Sequence, residues 1–456
     1  MNDFIDAVAS SRERSEIEEG LDEFQGIEYN SVVFAGKVKD NDVDFILNFG
    51  VSDVDKFYKF LSDKDSDFSK KEFDGYVSLQ TDKGAIIVDD KEAYIVFKDS
   101  DILKGAKAIN EIEKWMEEAK EKPLADWKRE YLDQESFVSG WLNLAWIKDI
   151  SPRGWKEFES IADKLPGLSV NNLSIGYRLN IHDKAATTNV TVFQGDKVMK
   201  CPFGGKFDAS LLKYAGKNDV LVIGASVNNT TVNLARLFIN KHFDEQIEYL
   251  QDDIKYYNDR YSSNRLNETL AAKQLFNRIA DSFDGSVMFS AGVNSGVSLE
   301  ELSHMNDFNA THLVLAAKMK PGKANEVVKT LMDEAFNKGY YSLINTIDNN
   351  NWSIGTEDVT IKIMIDGDNL VCYTGDSSTS GGNFDKAFFE NTWFAYELKA
   401  DAGMDLLKKY KLPCGYDAKI RAEEMSFDAE ASFPGSEFGF VQTLSSILQG
   451  ILHEIK

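Results

Sequence analysis

The chain has 456 residues, of which 43% are hydrophobic, so it can build interiors for roughly two or three domains and does not have the composition of a disordered chain. Asp and Glu number 75 against 51 Lys and Arg, a net charge of −24. That balance argues against nucleic acid and anionic lipid as partners, and no run of about eighteen apolar residues supplies a transmembrane segment.

The acid-rich start, Met1-Asn2-Asp3-Phe4-Ile5-Asp6, has no basic n-region or apolar h-region and does not read as a signal peptide. A helix is expected within residues 3–24. Strand patterns follow at 31–36 and 43–49. The segment 52–61 reads as a helix, with Ser52 as its cap, Asp53 and Asp55 in the first turn, and Val54, Phe57, Tyr58 and Leu61 on one face. After a polar loop, three strands are expected at 75–80, 85–88 and 93–97. Residues 101–121 carry apolar side chains at helical spacing. Pro152, Gly154, Pro166 and Gly167 mark a boundary, giving an N-terminal α+β domain over 1–150 and a larger α+β region over 151–456.

The first pattern returns later in the chain. A strand over 311–319 is followed by an amphipathic helix over 321–336, and Gly339-Tyr340-Tyr341-Ser342-Leu343 matches Gly75-Tyr76-Val77-Ser78-Leu79. Further strands are expected at 352–354 and 359–365, with Asp366-Gly367-Asp368-Asn369 as a hairpin turn. Residues 43–98 and 312–376 therefore read as two diverged copies of a β-α-β-β-β unit. Two looser copies are expected at 190–226, with a helix around 207–214, and at 393–433, with a helix over 404–410. A long helical insertion over 232–280 carries Phe243, Ile247, Leu250, Ile254, Tyr257 and Tyr261, spaced like a short coiled-coil seam. The seam suits either a helix lying on its own sheet or self-association. A last helix is expected over 440–455. The predicted fold class is α+β, with repeated β-α-β-β units forming antiparallel or mixed sheets covered by helices.

The chemistry-bearing residues form no known motif. No Gly-Lys pair has the spacing of a phosphate loop, and Gly204-Gly205 reads as a turn. The histidines, His182, His242, His304, His312 and His453, show no metal-ligand spacing; His312 begins a core strand and reads as a satisfied polar residue. Asp40-Asn41-Asp42-Val43-Asp44 and Asp63-Lys64-Asp65-Ser66-Asp67 alternate carboxylates, but Phe45 and Phe68 stand where a calcium loop needs Gly. Cys201, Cys372 and Cys414 form no CxxC pair, and a Cys201–Cys372 bridge stays open. Aromatic clusters at Trp141, Trp146 and Trp155, and at 388–396, suit core packing. The loop 374–383 is small and polar, either a ligand loop or a connection. No catalytic, cofactor-binding or metal-binding residue is assigned, and no cofactor is called for.

Three stretches carry a resemblance. They are Asp44-Phe45-Ile46-Leu47-Asn48-Phe49-Gly50-Val51-Ser52-Asp53 with Lys56-Phe57; Leu211-Leu212-Lys213-Tyr214 leading into Asp219–Ser226; and Asp284-Gly285-Ser286-Val287-Met288-Phe289 followed by the strand 313–319 and its helix. In this order the chain resembles, over most of its length, a family of uncharacterised Bacteroidales envelope lipoproteins, a domain of unknown function. The resemblance implies an exported, lipid-anchored protein of repeated α+β units, and it supplies no catalytic residues. The family pattern opens with an export signal and an acylated cysteine, whereas the first cysteine here is Cys201. The expected location is the periplasm or cell surface with the export signal removed, or the cytoplasm if the resemblance does not hold.

The leading expectation is a non-enzymatic envelope protein that binds a ligand or partner, protein or glycan. Two alternatives stand beside it: a surface enzyme acting on glycans with paired carboxylates, and a structural subunit of a larger assembly. Self-association through the helix carrying Phe243, Ile247, Leu250 and Ile254 is the alternative to that helix lying on its own sheet.

Overall fold

The computed structural model describes residues 27–39, 42–64, 67–98, 101–132, 134, 136–163, 172–257, 260–293, 311–337, 343–355, 360–375, 382, 384–400, 415–434, 436, 439–440 and 443. The fold is α+β, in two compact units: Met1–Gly176 with Gln194–Asp196, and Tyr177–Phe193 with Lys197–Lys456. The expected helices over 3–24, 404–410 and most of 440–455 lie outside the described residues.

In the first unit a hairpin of β1 (Ile27–Lys39) and β2 (Asp42–Val51) leads to helix α1 (Val54–Lys64). A meander of β3 (Ser69–Phe73), β4 (Tyr76–Gln80), β5 (Ala85–Asp89) and β6 (Glu92–Lys98) follows. The short β7 (Asp101–Ile102) adds to β6, and helix α2 (Gly105–Glu121) crosses back. The strand order is β1-β2-β6-β5-β4-β3, antiparallel throughout.

The α1 helix starts where the sequence predicts but is capped one residue later. Asp53, not Ser52, takes the backbone N–H groups of Asp55 and Lys56, each at 3.0 Å, because its carboxylate reaches back over the first turn. Phe57 and its neighbours on α1 pack on Val51, Leu79, Val88 and Ala93. On the other face Ile46, Ile87, Tyr94 and Val96 pack under Ala108, Ile109 and Ile112 of α2. Each fully buried aliphatic side chain contributes about 1.5–3 kcal/mol. Beyond α2 come helix α3 (Asp126–Leu132), strand β8 (Val138–Asn143), and helices α4 (Ile147–Ile150) and α5 (Pro152–Ala162).

The second unit takes β9 (Leu173–Ile181) from Tyr177 onward, β10 (Ala185–Gln194) up to Phe193, β11 (Lys197–Val198), a 3-10 helix at Ala209–Tyr214 and β12 (Asp219–Ser226). Helices α6 (Asn229–Tyr257) and α7 (Arg260–Ser282) then form a hairpin. Next are β13 (Phe283–Val293), β14 (Thr311–Met319), helix α8 (Lys323–Asn337), and the meander β15 (Ile344–Asp348), β16 (Asn351–Gly355), β17 (Thr360–Asp366) and β18 (Asn369–Tyr373). Helix α9 (Lys386–Phe389), β19 (Phe394–Ala400), β20 (Tyr416–Glu423) and β21 (Ser426–Ser432) complete the order. Within the second unit the strands run β15-β16-β17-β18-β14-β13-β12-β19-β20-β21-β10-β9.

Six of these strands repeat the first unit. The order β13-β14-β18-β17-β16-β15 is that of β1-β2-β6-β5-β4-β3, and α8 takes the place of α1. The sequence predicts one helix and three strands after the first; the structure has four in each copy. The uncounted strand in the first copy is β3, whose Ser-Lys-Lys-Glu-Phe sequence reads as a polar loop. The expected match of 339–343 to 75–79 shifts accordingly: β16 occupies the place of β4, and residues 338–342 lie outside those described.

The correspondence reaches single residues. Val51, Val88 and Ala93 face α1 where Met319, Ile365 and Leu370 face α8, and Phe57 corresponds to Val327. On the opposite face Ile46, Ile87, Tyr94 and Val96 correspond to Val314, Met364, Val371 and Tyr373. The backbone N–H of Val51 donates to the turn carbonyl of Lys91 at 2.7 Å, and that of Met319 to Asp368 at 2.8 Å. Even the leading strands agree. Ser31-Val32-Val33-Phe34 has the register of Ser286-Val287-Met288-Phe289, with Phe34 opposite Leu47 and Phe289 opposite Leu315, and each strand shifts register just before its valine.

The two looser copies fare differently. β10 and β12 are separated by β21, β20 and β19, and the helix between them is a 3-10 turn. No β-α-β unit forms there, because β10 pairs with β21 from far along the chain. In the other, β19, β20 and β21 are antiparallel neighbours.

Candidate functional site

Three places bring chemistry-bearing side chains together: the β12–β13–β14 end of the second sheet, a buried carboxylate on β19, and the α6–α7 hairpin. At the first, Asp219, Gly292 and His312 lie side by side across adjacent strands. His312 Nδ1 and Asp219 Oδ1 are 2.6 Å apart, and both side chains are buried. The backbone N–H of Gly216 donates to the other Asp219 oxygen at 2.6 Å. Gly216 has to be glycine: a Cβ there would stand 2.7 Å from His312 Nδ1 and 2.8 Å from Asp219 Oδ1.

His312 is thus only half satisfied. Its Nε2 is buried without a partner, and so is the hydroxyl of Ser290, two residues from Gly292 on the same strand face. By residue type this is Asp, His and Ser. A working triad needs the serine hydroxyl to donate to Nε2 beside an open site. Ser290 is fully buried and bonded to nothing, so the arrangement pins strand ends and holds no exposed nucleophile. The sequence signals His312 as a polar residue in a core strand; Asp219, 93 positions away, gives no local sign of being its partner.

Glu397 on β19 is completely buried. Lys399 Nζ lies 2.9 Å and Lys419 Nζ 3.6 Å from its Oε1, off the line of a hydrogen bond, while Oε2 accepts from the N–H of Asp385 at 3.3 Å. The lysines lie over Phe384 and Phe388, and Arg421 shares Phe388. The carboxylate is a counter-ion to this cationic, aromatic cluster.

A glycosidase acid needs a carboxyl held protonated above its ordinary range. Among the described residues the carboxylates with displaced pKa values, Glu111, Glu118, Asp208, Asp348 and Asp366, all move down. Burial pushes Glu111 up, but hydrogen bonds from Lys98 and Trp115 outweigh it. A groove of about 460 Å³ between α7 and α8 is lined by both signs of charge, with Arg278 bonded to Thr330 and Lys323 to Glu326.

No group of three or more His, Cys, Asp or Glu among the described residues is placed to hold a metal ion. Of the alternating carboxylate segments, Asp42–Asp44 runs into β2 and Asp63 lies in α1, while residues 40–41 and 65–66 are outside those described. Cys201 and Cys372 are free thiols, so they form no bridge, and burial pushes both up in pKa. Trp155 is buried, and Trp141 sits edge-on to Trp127 at 4.7 Å and Tyr131 at 5.8 Å. Most of the loop 374–383, like Cys414, lies outside the described residues.

The helical insertion is two helices, and its seam is internal. Phe243, Ile247, Leu250 and Ile254 are covered or half-covered, and the Phe243 ring meets Phe276 of α7 at 6.3 Å. Arg236 pairs with Asp281, Lys273 with Asp244, and Asn240 with Asn277 along the same interface. The expectation of self-association through that face is corrected: α7 occupies it. The opposite face of α6 carries Phe238, Tyr249 and Tyr256, which are 69%, 66% and 73% exposed, beside exposed Leu237. Spacings of 11 and 7 residues put the three rings on one line. None of the described helices is long and apolar enough to cross a membrane.

Comparison with protein-family models, with curated proteins and with solved structures finds no match to this chain.

Proposed function

We propose that this chain is a non-enzymatic protein of the cell envelope, which works by holding a partner protein against the outer face of α6. The observation that carries the reading is the line of exposed rings, Phe238, Tyr249 and Tyr256, on a helix whose other face is sealed by α7. Exposed aromatic anchors among charges of both signs are the make-up of a protein–protein contact. Lys241, Glu245, Glu248 and Asp252 supply those charges. The acids among them disfavour an anionic lipid surface as the occupant. The non-enzymatic part is supported by the closed state of Asp219, His312 and Glu397. The envelope location rests on the sequence resemblance of residues 44–53, 211–226 and 284–319.

A photo-reactive phenylalanine at Tyr249, on the outer face, tests the reading against one at Ile247, on the inner face. The expected result is a single crosslinked protein partner from envelope-bearing cells at 249, absent at 247, and abolished when Phe238 and Tyr256 are changed to Ser. Crosslinking of lipid alone, or of nothing, overturns it.

A further inference from the structure

We propose that β1 is an interaction edge, and that its occupant is β1 of a second copy of this chain, paired antiparallel about a two-fold axis. This goes beyond the proposed partner site on α6 and uses a different surface. β13, the counterpart of β1, has neighbours on both sides: β14 on one and β12 on the other. The β12–β13 pairing is the seam that joins the six strands β13-β14-β18-β17-β16-β15 to six more, β12-β19-β20-β21-β10-β9. In the first unit the same strand position ends the sheet, and among the described residues nothing pairs with the outer edge of β1.

The side chains register the difference. Met288 and Ser290 on β13 are fully buried and Val287 and Phe289 half-buried. Val32, Val33 and Phe34 on β1, the counterparts of Val287, Met288 and Phe289, are 65%, 52% and 63% exposed, while Ala35, the counterpart of Ser290, is half-buried. Helix α4 also comes near β1 and still leaves these three in solvent. They lie on both faces, since Val33 alternates with Val32 and Phe34. A strand paired along this edge would set cross-strand neighbours beside all three side chains.

The far edge of the same sheet shows how an edge is kept free. β3 carries Lys70, Lys71 and Glu72 in five residues, the charged make-up that blocks pairing. From Val32 to Gly36, β1 carries no charge. With one edge guarded and one open, edge-to-edge growth stops at two copies, and a second β1 is the strand that closes it.

The test is the mass of the intact chain by light scattering or sedimentation across a dilution series, for the wild type and for Val32→Lys/Phe34→Lys. Both positions are exposed, so the variant is expected to keep the wild-type circular dichroism and melting temperature. The expected result is a wild-type dimer that the variant reduces to a monomer of half the mass. Amide exchange adds a readout on the wild type alone: residues 32–36 are protected at high concentration and exchange freely on dilution. A wild type that stays monomeric, a variant that dimerises as well as the wild type, or exchange at 32–36 that ignores concentration overturns the proposal.

Discussion

Removing one member of the Asp219–His312 pair leaves the other buried with part of its hydrogen-bonding capacity unmet. His312→Ala strips Asp219 of one of two short contacts and opens a hole beside Val314, so a loss of about 3–5 kcal/mol is expected, read as a fall in denaturation midpoint. Ser290→Ala removes a hydroxyl that bonds to nothing, and no loss is expected. The Asp366–Lys213 pair behaves differently because both side chains are half in solvent, although Tyr214, which also bonds to Asp366, is buried. The Lys213 ammonium first, and then the Tyr214 hydroxyl, hold Asp366 below the ordinary carboxylate range. A carboxylate with a lowered folded pKa gives stability that is fully present above its unfolded value, about 3.9, and is lost as pH falls through the folded one. Asp366→Asn is therefore expected to lower the neutral-pH melting temperature slightly, by about 0.2–1 kcal/mol in stability, and to flatten the decline below about pH 4. A variant whose acid limb superimposes on the wild type disproves the assignment. Sequence reading finds His312 and Asp219 only separately. Side-by-side strands bring together residues whose separation in the chain is set by what lies between them, here two helices, the strand β13 and residues outside those described.

The α6–α7 hairpin shows the same limit for whole elements. The 4-3-4 spacing of Phe243, Ile247, Leu250 and Ile254 is legible in the sequence and correctly says that one face of the helix is covered. Periodicity does not say by what, and the sequence between the two helices, Asn258-Asp259, holds no Gly or Pro to announce that α7 packs back on α6. The structure gives a pair of opposite expectations. Ile247→Glu places a charge against α7, and a loss of about 2–4 kcal/mol is expected, seen as faster amide exchange in both helices. Tyr249→Glu, on the wet face, is expected to leave exchange unchanged. Equal effects from the two would mean that the seam is misplaced. The strand β3 teaches a related lesson. Its lysines hide it from a reading that looks for apolar alternation, yet the guarded edge needs them, so the strand least like a strand is the one whose position demands charge.

At the scale of the molecule, the repeat is where sequence and structure agree most closely. β2, α1 and β4–β6, and again β14, α8 and β16–β18, are legible because one helical face and alternating strands must be apolar in both copies. The pairing of β10 with β21, across more than two hundred residues, is not legible, because nothing in either strand names the other. Each compact unit has its own interior: Ile87 and Leu79 belong to the first, Val371 and Met288 to the second. Separate interiors predict separate cooperative transitions. Calorimetry on the whole chain is expected to resolve two. Ile87→Ala should lower one transition and Val371→Ala the other, each by about 2–4 kcal/mol, since both side chains are fully buried and neither truncation leaves polar groups to rescue the hole. The two variants make the test sharp. If either moves both transitions together, the units unfold as one body, and the repeat is a feature of the sheets without being a unit of stability.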